Sequence, residues 1–170
     1  RQHDFDAIVL TPGNLYGPYD NFDLQNSHVI PALIRKFFTA QSSALEEVVV
    51  WGTGAPVRDF IYVGDACEAI VLAAETYSEP GIINISSGLQ VTIRELAETL
   101  AEIVGYTGRI RWDTSKPDGQ MYKGFDVARM HERLGYRCRT SLREGLRKTV
   151  DWFAAHQATA RLSTPVQALL

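Results

Sequence analysis

The sequence predicts an α/β fold: a small, partly parallel mixed sheet with helices packed on it. Three observations carry this. Short apolar runs alternate with stretches of helical period. Breaker clusters such as Thr11-Pro12-Gly13-Asn14 and Gly52-Thr53-Gly54 close the runs. At 170 residues, 45% hydrophobic and 22% charged, the chain can fill one core, as a domain or as a lobe of a larger one.

Taken in order, residues 7–10 form a short apolar run and read as a buried strand. The polar, aromatic stretch 15–27, with Gly17-Pro18 inside it, reads as a loop. Residues 28–40 read as a helix, because Ile30, Leu33, Ile34, Phe37 and Phe38 recur near a 3.6-residue period, and Pro31 is tolerable only in a first turn. Strands are predicted over 48–51 and 60–63. Asp65 is placed as the cap of a helix reaching residue 77, with Glu68 at its third position. A strand over 82–85 follows. Thr92-Ile93-Arg94-Glu95 is a capping box, Val91 and Leu96 complete a hydrophobic staple, and Gly105 stops that helix. A strand over 109–113 and helices over 126–134 and 141–156 finish the pattern. The periodicity is lost after Gln157, which predicts fraying.

Composition excludes several classes. The net charge of −3 argues against a nucleic-acid binder. The apolar runs are far shorter than the roughly 20 residues of a membrane helix. Cys67 and Cys138 are too few for a disulfide framework or zinc site, so a reducing, cytoplasmic setting is expected, with Cys67 a small core residue. His3, His28, His131 and His156 lack metal-ligand spacing, and His131 and His156 read as surface residues. None of the 13 glycines forms G-x-G-x-x-G, so no dinucleotide phosphate loop is present. The plain reading of Gly52 and Gly54 is a tight turn.

One segment is more specific. Leu10-Thr11-Pro12-Gly13-Asn14-Leu15-Tyr16-Gly17-Pro18 resembles the stretch that follows the catalytic helix in extended short-chain dehydrogenases/reductases acting on nucleotide sugars. Tyr19-Asp20-Asn21-Phe22, the run from Asn26-Ser27-His28-Val29-Ile30-Pro31-Ala32-Leu33, Trp51-Gly52-Thr53-Gly54 with Arg58-Asp59-Phe60, Asn84-Ile85-Ser86-Ser87-Gly88 and Lys116-Pro117-Asp118-Gly119 narrow the likeness. Together they resemble the GDP-L-fucose synthase family, NADPH-dependent 3,5-epimerase/4-reductases of GDP-4-keto-6-deoxymannose. The likeness runs from Ala7 to about His156. Members of that family are roughly twice as long. Their N-terminal half carries the glycine-rich loop and a Tyr-x-x-x-Lys site, and none of the seven tyrosines here has Lys four residues on. Tyr122 stands where Arg is frequent, and Thr11 and Gly13 also depart from the pattern.

The resemblance implies the C-terminal substrate-binding lobe of such an enzyme with an incomplete Rossmann part. Residues 1–160 would hold the last strand of the nucleotide-binding fold and the nucleotide-sugar lobe, and 161–170 a frayed tail. It places a diphosphate near Lys36, Arg58 and Lys123, which suits cationic donors and the bidentate fork of Arg. The plain alternatives are pairing of Arg58 with Asp59 or Asp65, and solvated faces for Lys36 and Lys123. Arg35 reads as an exposed neighbour.

Val29, Leu33, Val50 and Trp51 would line the guanine pocket, with core packing as the alternative. Pro12, Asn14, Leu15 and His28 would lie by the nicotinamide, Asn14 also by the sugar, unless Asn14 is only a turn residue. His28 would be a general acid in epimerisation, partnered by a Cys that neither Cys67 nor Cys138 matches, or else a helix-start residue of no chemical role.

The implied cofactor is NADP, bound chiefly by an N-terminal half. The implied ligand is a GDP-sugar, with no nucleic-acid or membrane partner and a homodimer formed through the absent half. The rival readings are an NAD-dependent nucleotide-sugar 4-epimerase or dehydratase, and a non-catalytic nucleotide-sugar-binding fragment.

Overall fold

Residues 6–157 and 159–160 are described by the structure, a computed structural model. His3 and the expected frayed tail over 161–170 lie outside them. In chain order the elements are β1 (Val9–Pro12), β2 (Asn14–Tyr16), α1 (Val29–Ser42), β3 (Glu47–Trp51), β4 (Val57–Tyr62), α2 (Val63–Thr76), β5 (Ile82–Ile85), β6 (Gln90–Thr92), α3 (Ile93–Val104), β7 (Arg109–Asp113), β8 (Tyr122–Lys123), α4 (Ala128–Leu134) and α5 (Leu142–His156). No helix among the described residues is long and apolar enough to cross a membrane.

The α/β class stands, but the strands divide among three small sheets. β1 pairs with β5, and β3 with β7, both in parallel. In the third sheet β4 is central: parallel to β2 and β8, antiparallel to β6. β1 and β2 form a single extended run that changes sheet at Gly13. There the backbone donates from Gly13 N to Ile85 O at 2.8 Å. A Cβ at Gly13 would lie 2.3 Å from Ser86 Oγ, so this crossing needs glycine.

Two cores share β4. Phe60 on one face joins Tyr16, Phe22, Ile34, Phe37, Leu96, Leu100, Leu146 and Phe153, gathered from α1, α3 and α5. Ile61 on the other joins Ala66, Ala69, Ile83, Ile85 and Met130 around α2 and α4. A strand covered on both faces reads as a continuous apolar run, and Phe60-Ile61 is that run.

Several boundaries shift. β1 lies two residues later than the predicted 7–10. The stretch read as a loop from residue 15 contains β2, because Tyr16 is buried and its backbone pairs with Tyr62. α2 begins at Val63, and Tyr62 is its N-cap without a side-chain bond, so Asp65 is not the cap but the third helical residue. Its buried carboxylate accepts from Tyr136 Oη (3.4 Å), Arg139 N (3.0 Å) and Thr140 N (3.2 Å), tying the approach to α5 onto α2. Arg35 is 2% exposed and donates to Phe22 O at 3.0 Å, the reverse of the expected surface position. Burial lowers its pKa, and the nearby Asp23 charge opposes that shift. Cys67 is exposed on α2 and is not a core residue.

The capping box is present as predicted. Glu95 N donates to Thr92 Oγ1 at 3.1 Å and Thr92 N donates to Glu95 Oε2 at 2.9 Å, with Gly105 left-handed at the far end. Thr92→Ala is expected to destabilise the chain by about 1 kcal/mol, read as a melting-temperature drop of about 2–4 °C. No change on thermal denaturation would mean that α3 is held by packing alone.

Candidate functional site

The register of β4 builds the site. Arg58 is the backbone partner of Lys123 on β8, and Phe60 is the partner of Asn14 on β2. Partners in a parallel ladder point to the same face, so Arg58, Lys123, Asn14 and Phe60 converge on one side of the sheet. They line a cleft of about 610 Å³ with Leu15, Tyr19, His28, Val29 and Val63.

Each polar group there has a distinct setting. Asn14 Nδ2 donates to Asp59 O at 2.7 Å, and Lys123 Nζ donates to Asn14 Oδ1 at 3.1 Å. Asn14 is therefore a bridge between strands, not a simple turn residue. Arg58 Nη1 donates only to its neighbour Val57 O at 2.8 Å.

Asp59, which the sequence leaves as a partner for Arg58, points to the opposite face and is fully buried. It accepts from Ser86 Oγ (2.8 Å), Ser87 Oγ (2.8 Å) and Gly88 N (3.1 Å). Asp65 is occupied as described above. Among the described residues neither Arg58 nor Lys123 has an ion-pair partner. Two adjacent cations without a carboxylate repel each other and are relieved by an anion.

His28 is the N-cap of α1 with an extended backbone and no side-chain capping bond. Its exposed ring borders the cleft. Tyr19, 78% exposed, holds a left-handed φ of 68°. A bulky residue adopts that conformation at a cost of about 1–3 kcal/mol. Its ring leans on Trp152 at 4.9 Å. Neither Tyr19 nor Phe60 is singled out by the sequence, although the Gly17-Pro18 breaker marks a tight turn beside Tyr19.

A second cavity of about 700 Å³ is lined by Lys36, Val49, Trp51 and Arg111. Lys36 Nζ donates to Val49 O at 2.9 Å, and burial lowers its pKa. Lys36 is thus not a solvated surface lysine. Trp51 is 65% exposed, with Lys116 Nζ 5.6 Å from its ring centroid. The structure does not place Leu33 and Val50 on either cavity. Both are buried in the main core, packed by the apolar periodicity that suggested them. Pro12 is exposed on β1 and lies off the cleft.

Neither cysteine borders the cleft. The Cys138 thiol is pushed up to about 11 by burial and then by the Asp65 and Asp59 charges, so it stays protonated near neutral pH. Among the described residues no cluster of metal-binding side chains occurs.

Of the residues expected beside a nicotinamide, Asn14, Leu15 and His28 line the cleft. Leu15 offers a 40% exposed apolar side chain at the cleft, and the His28 ring makes no hydrogen bond among the described residues. The phosphate-binding loop is absent from the sequence.

The fold and cleft define an α/β lobe with two cations on one cleft that have no ion-pair partner among the described residues. The chain belongs to the NAD dependent epimerase/dehydratase family, whose model matches residues 1–86. It is 50% identical over 152 residues to GDP-L-fucose synthase 1 of Arabidopsis thaliana, covering 89% of this chain and 47% of that protein. It is 46% identical over 166 residues to GDP-L-fucose synthase of Escherichia coli (strain K12), covering 92% and 51%. A crystal structure of a GDP-L-fucose synthetase from Naegleria fowleri superposes with a TM-score of 0.86 at 31% identity, covering 91% of this chain and 48% of that one. The match is the same for that protein bound to NADP. The chain thus spans about half the length of the relatives it matches.

Proposed function

We propose that this chain is the substrate-binding lobe of a GDP-sugar 3,5-epimerase/4-reductase acting on GDP-4-keto-6-deoxymannose. The observation that carries this reading is the Arg58–Lys123 pair, adjacent in register, without an ion-pair partner among the described residues, on one cleft with Asp20 and His28. Two cations side by side suit two adjacent phosphates, and the guanidinium can take one of them in bidentate fashion. Trp51 on the second cavity would receive the base, and Lys36, expected beside the diphosphate, lines that cavity and not the cleft of Arg58 and Lys123.

His28 would hold the proton that epimerisation needs. A base removes the proton from the carbon beside the ketone, and that bonding pair becomes the enolate. His28, as imidazolium, then delivers a proton to the opposite face and is left neutral. NADP in its reduced form, when bound, supplies the hydride that reduces the 4-ketone. Leu15 and His28 would border its nicotinamide.

The test is calorimetric titration of the chain with GDP and with UDP. Tighter binding of GDP supports the reading, and equal or reversed affinity points to another nucleotide-sugar enzyme. In a second experiment the 170-residue chain is expected to leave NADPH oxidation with GDP-4-keto-6-deoxymannose at background. It holds neither a glycine-rich phosphate loop nor a Tyr-x-x-x-Lys proton donor. Turnover above background would overturn the reading of this chain as a substrate lobe alone.

A further inference from the structure

Of the tyrosine and phenylalanine rings lining the cleft among the described residues, Tyr16 and Phe60 are buried and Tyr19 alone faces solvent. Its place along the cleft follows from the register. Arg58, opposite Lys123, stands two residues before Phe60 on β4, and Phe60 pairs with Asn14 on β2. β2 then runs parallel to β4 as far as Tyr16, opposite Tyr62. Gly17 reaches Val63, where a Cβ on it would lie 2.4 Å from Val63 Cγ1. Tyr19 therefore borders the cleft beyond the end of β2, while the two cations border it at the start of β4.

That position is held against a conformational cost. Tyr19 keeps a left-handed φ of 68°, a backbone that suits glycine or asparagine better than a bulky ring. Its ring rests on Trp152, 4.9 Å between centroids. Trp152 is fixed in turn, stacked on Phe22 at 6.0 Å and on His156 at 4.7 Å. An outlier of this kind persists where its surroundings over-determine it, and such outliers cluster at ligand sites.

We propose that Tyr19 is a specificity-determining residue, an aromatic wall against the apolar face and 6-methyl group of a 6-deoxyhexose. The inference rests on the reading of the cleft as a GDP-sugar site. On that reading Arg58 and Lys123 take the diphosphate, and Trp51, which precedes β4, takes the base. The hexose then lies on the other side of the cations, along β2, where Asn14 and His28 offer polar groups and Tyr19 an apolar face. A methyl group gains by burial against that ring. A hydroxymethyl group in its place loses water without gaining a hydrogen-bond partner there.

The test is titration of the chain with GDP-6-deoxymannose and GDP-mannose. The wild-type chain is expected to prefer the 6-deoxy sugar about tenfold, the order of discrimination an apolar wall gives. Tyr19→Asn suits the left-handed backbone and removes the ring, so it should bring that preference to within roughly twofold. Tyr19→Phe keeps the ring and should keep the preference. In the wild-type complex the 6-methyl protons should show a nuclear Overhauser effect to the Tyr19 ring protons, assigned with Tyr19→Phe. No preference in the wild type, a preference that survives Tyr19→Asn, or the absence of that Overhauser effect would each overturn the proposal. If the GDP sugars fail to bind while their UDP counterparts show the same Tyr19-dependent preference, the GDP reading falls and the wall stands. A chain that binds neither pair would overturn both.

Discussion

On the proposed function, His28→Asn in a full-length enzyme that carries this lobe is expected to cut epimerisation by about 10²–10⁴-fold while reduction of an already epimerised intermediate persists within an order of magnitude. The two steps use different protons. Inversion beside a ketone requires a proton to leave one face and another to arrive on the opposite face, from a group that can donate near neutral pH. His28 alone among the described histidines borders the cleft. His131 meets Arg137 across 3.2 Å, and His156 stacks on Trp152 at 4.7 Å. On the proposed function, the reduced ketone takes its proton from a Tyr-x-x-x-Lys hydroxyl, and this sequence has no such motif. Deuterium incorporation at the carbons beside the ketone reads the first step, and NADPH oxidation with the epimerised intermediate reads the second. Equal loss of both would reduce His28 to shaping the site, and unchanged exchange would remove it from the mechanism.

Arg58→Ala is expected to weaken GDP binding roughly 10–150-fold, which corresponds to about 1.5–3 kcal/mol for one charge-assisted contact. The structure supplies the reason this loss should appear as affinity and not as stability. The guanidinium bonds to a single backbone carbonyl on its own strand, while Asp59 and Asp65 are satisfied by other donors. Arg58→Lys should recover part of the affinity, because the charge returns without the fork. Unchanged GDP affinity in Arg58→Ala would make Arg58 a structural residue.

What can be read along the chain is what its local chemistry decides. The start and stop of α3 are written within a few residues of each other, in Thr92, Glu95 and Gly105, and they appear where the sequence puts them. The three-residue β2 and two-residue β8 carry no such mark. They exist because distant β4 offers them partners, and a distant partner leaves no local pattern. Arg35 and Lys36 show a related limit. One residue step turns a helix by about 100°, which puts one cation into the core and the other beside a cavity, while composition treats them alike. For Leu33 and Val50 the periodicity that marks a buried face cannot say whether the burial is against core or ligand, and here it is core. The cleft itself is legible only in pieces: His28, Arg58, Tyr19 and Phe60 all stand in recognisable segments, but only the tertiary approach of β2 and β8 to β4 shows that Tyr19 and Phe60 share the cleft with Arg58 and Lys123.

Every ladder in the described residues joins strands that are not neighbours in the chain, so the fold contains no β-hairpin there. Asn14 and Lys123, which touch across the cleft, are 109 residues apart. Helices such as α3 can form within about a microsecond from local signals, but the cations meet only after several long loops have closed, which is slow. On the proposed function, anion affinity is therefore among the last properties this chain acquires on refolding. It is also among the first lost on partial opening, because Lys123 sits on a two-residue, exposed strand whose detachment leaves both cores intact.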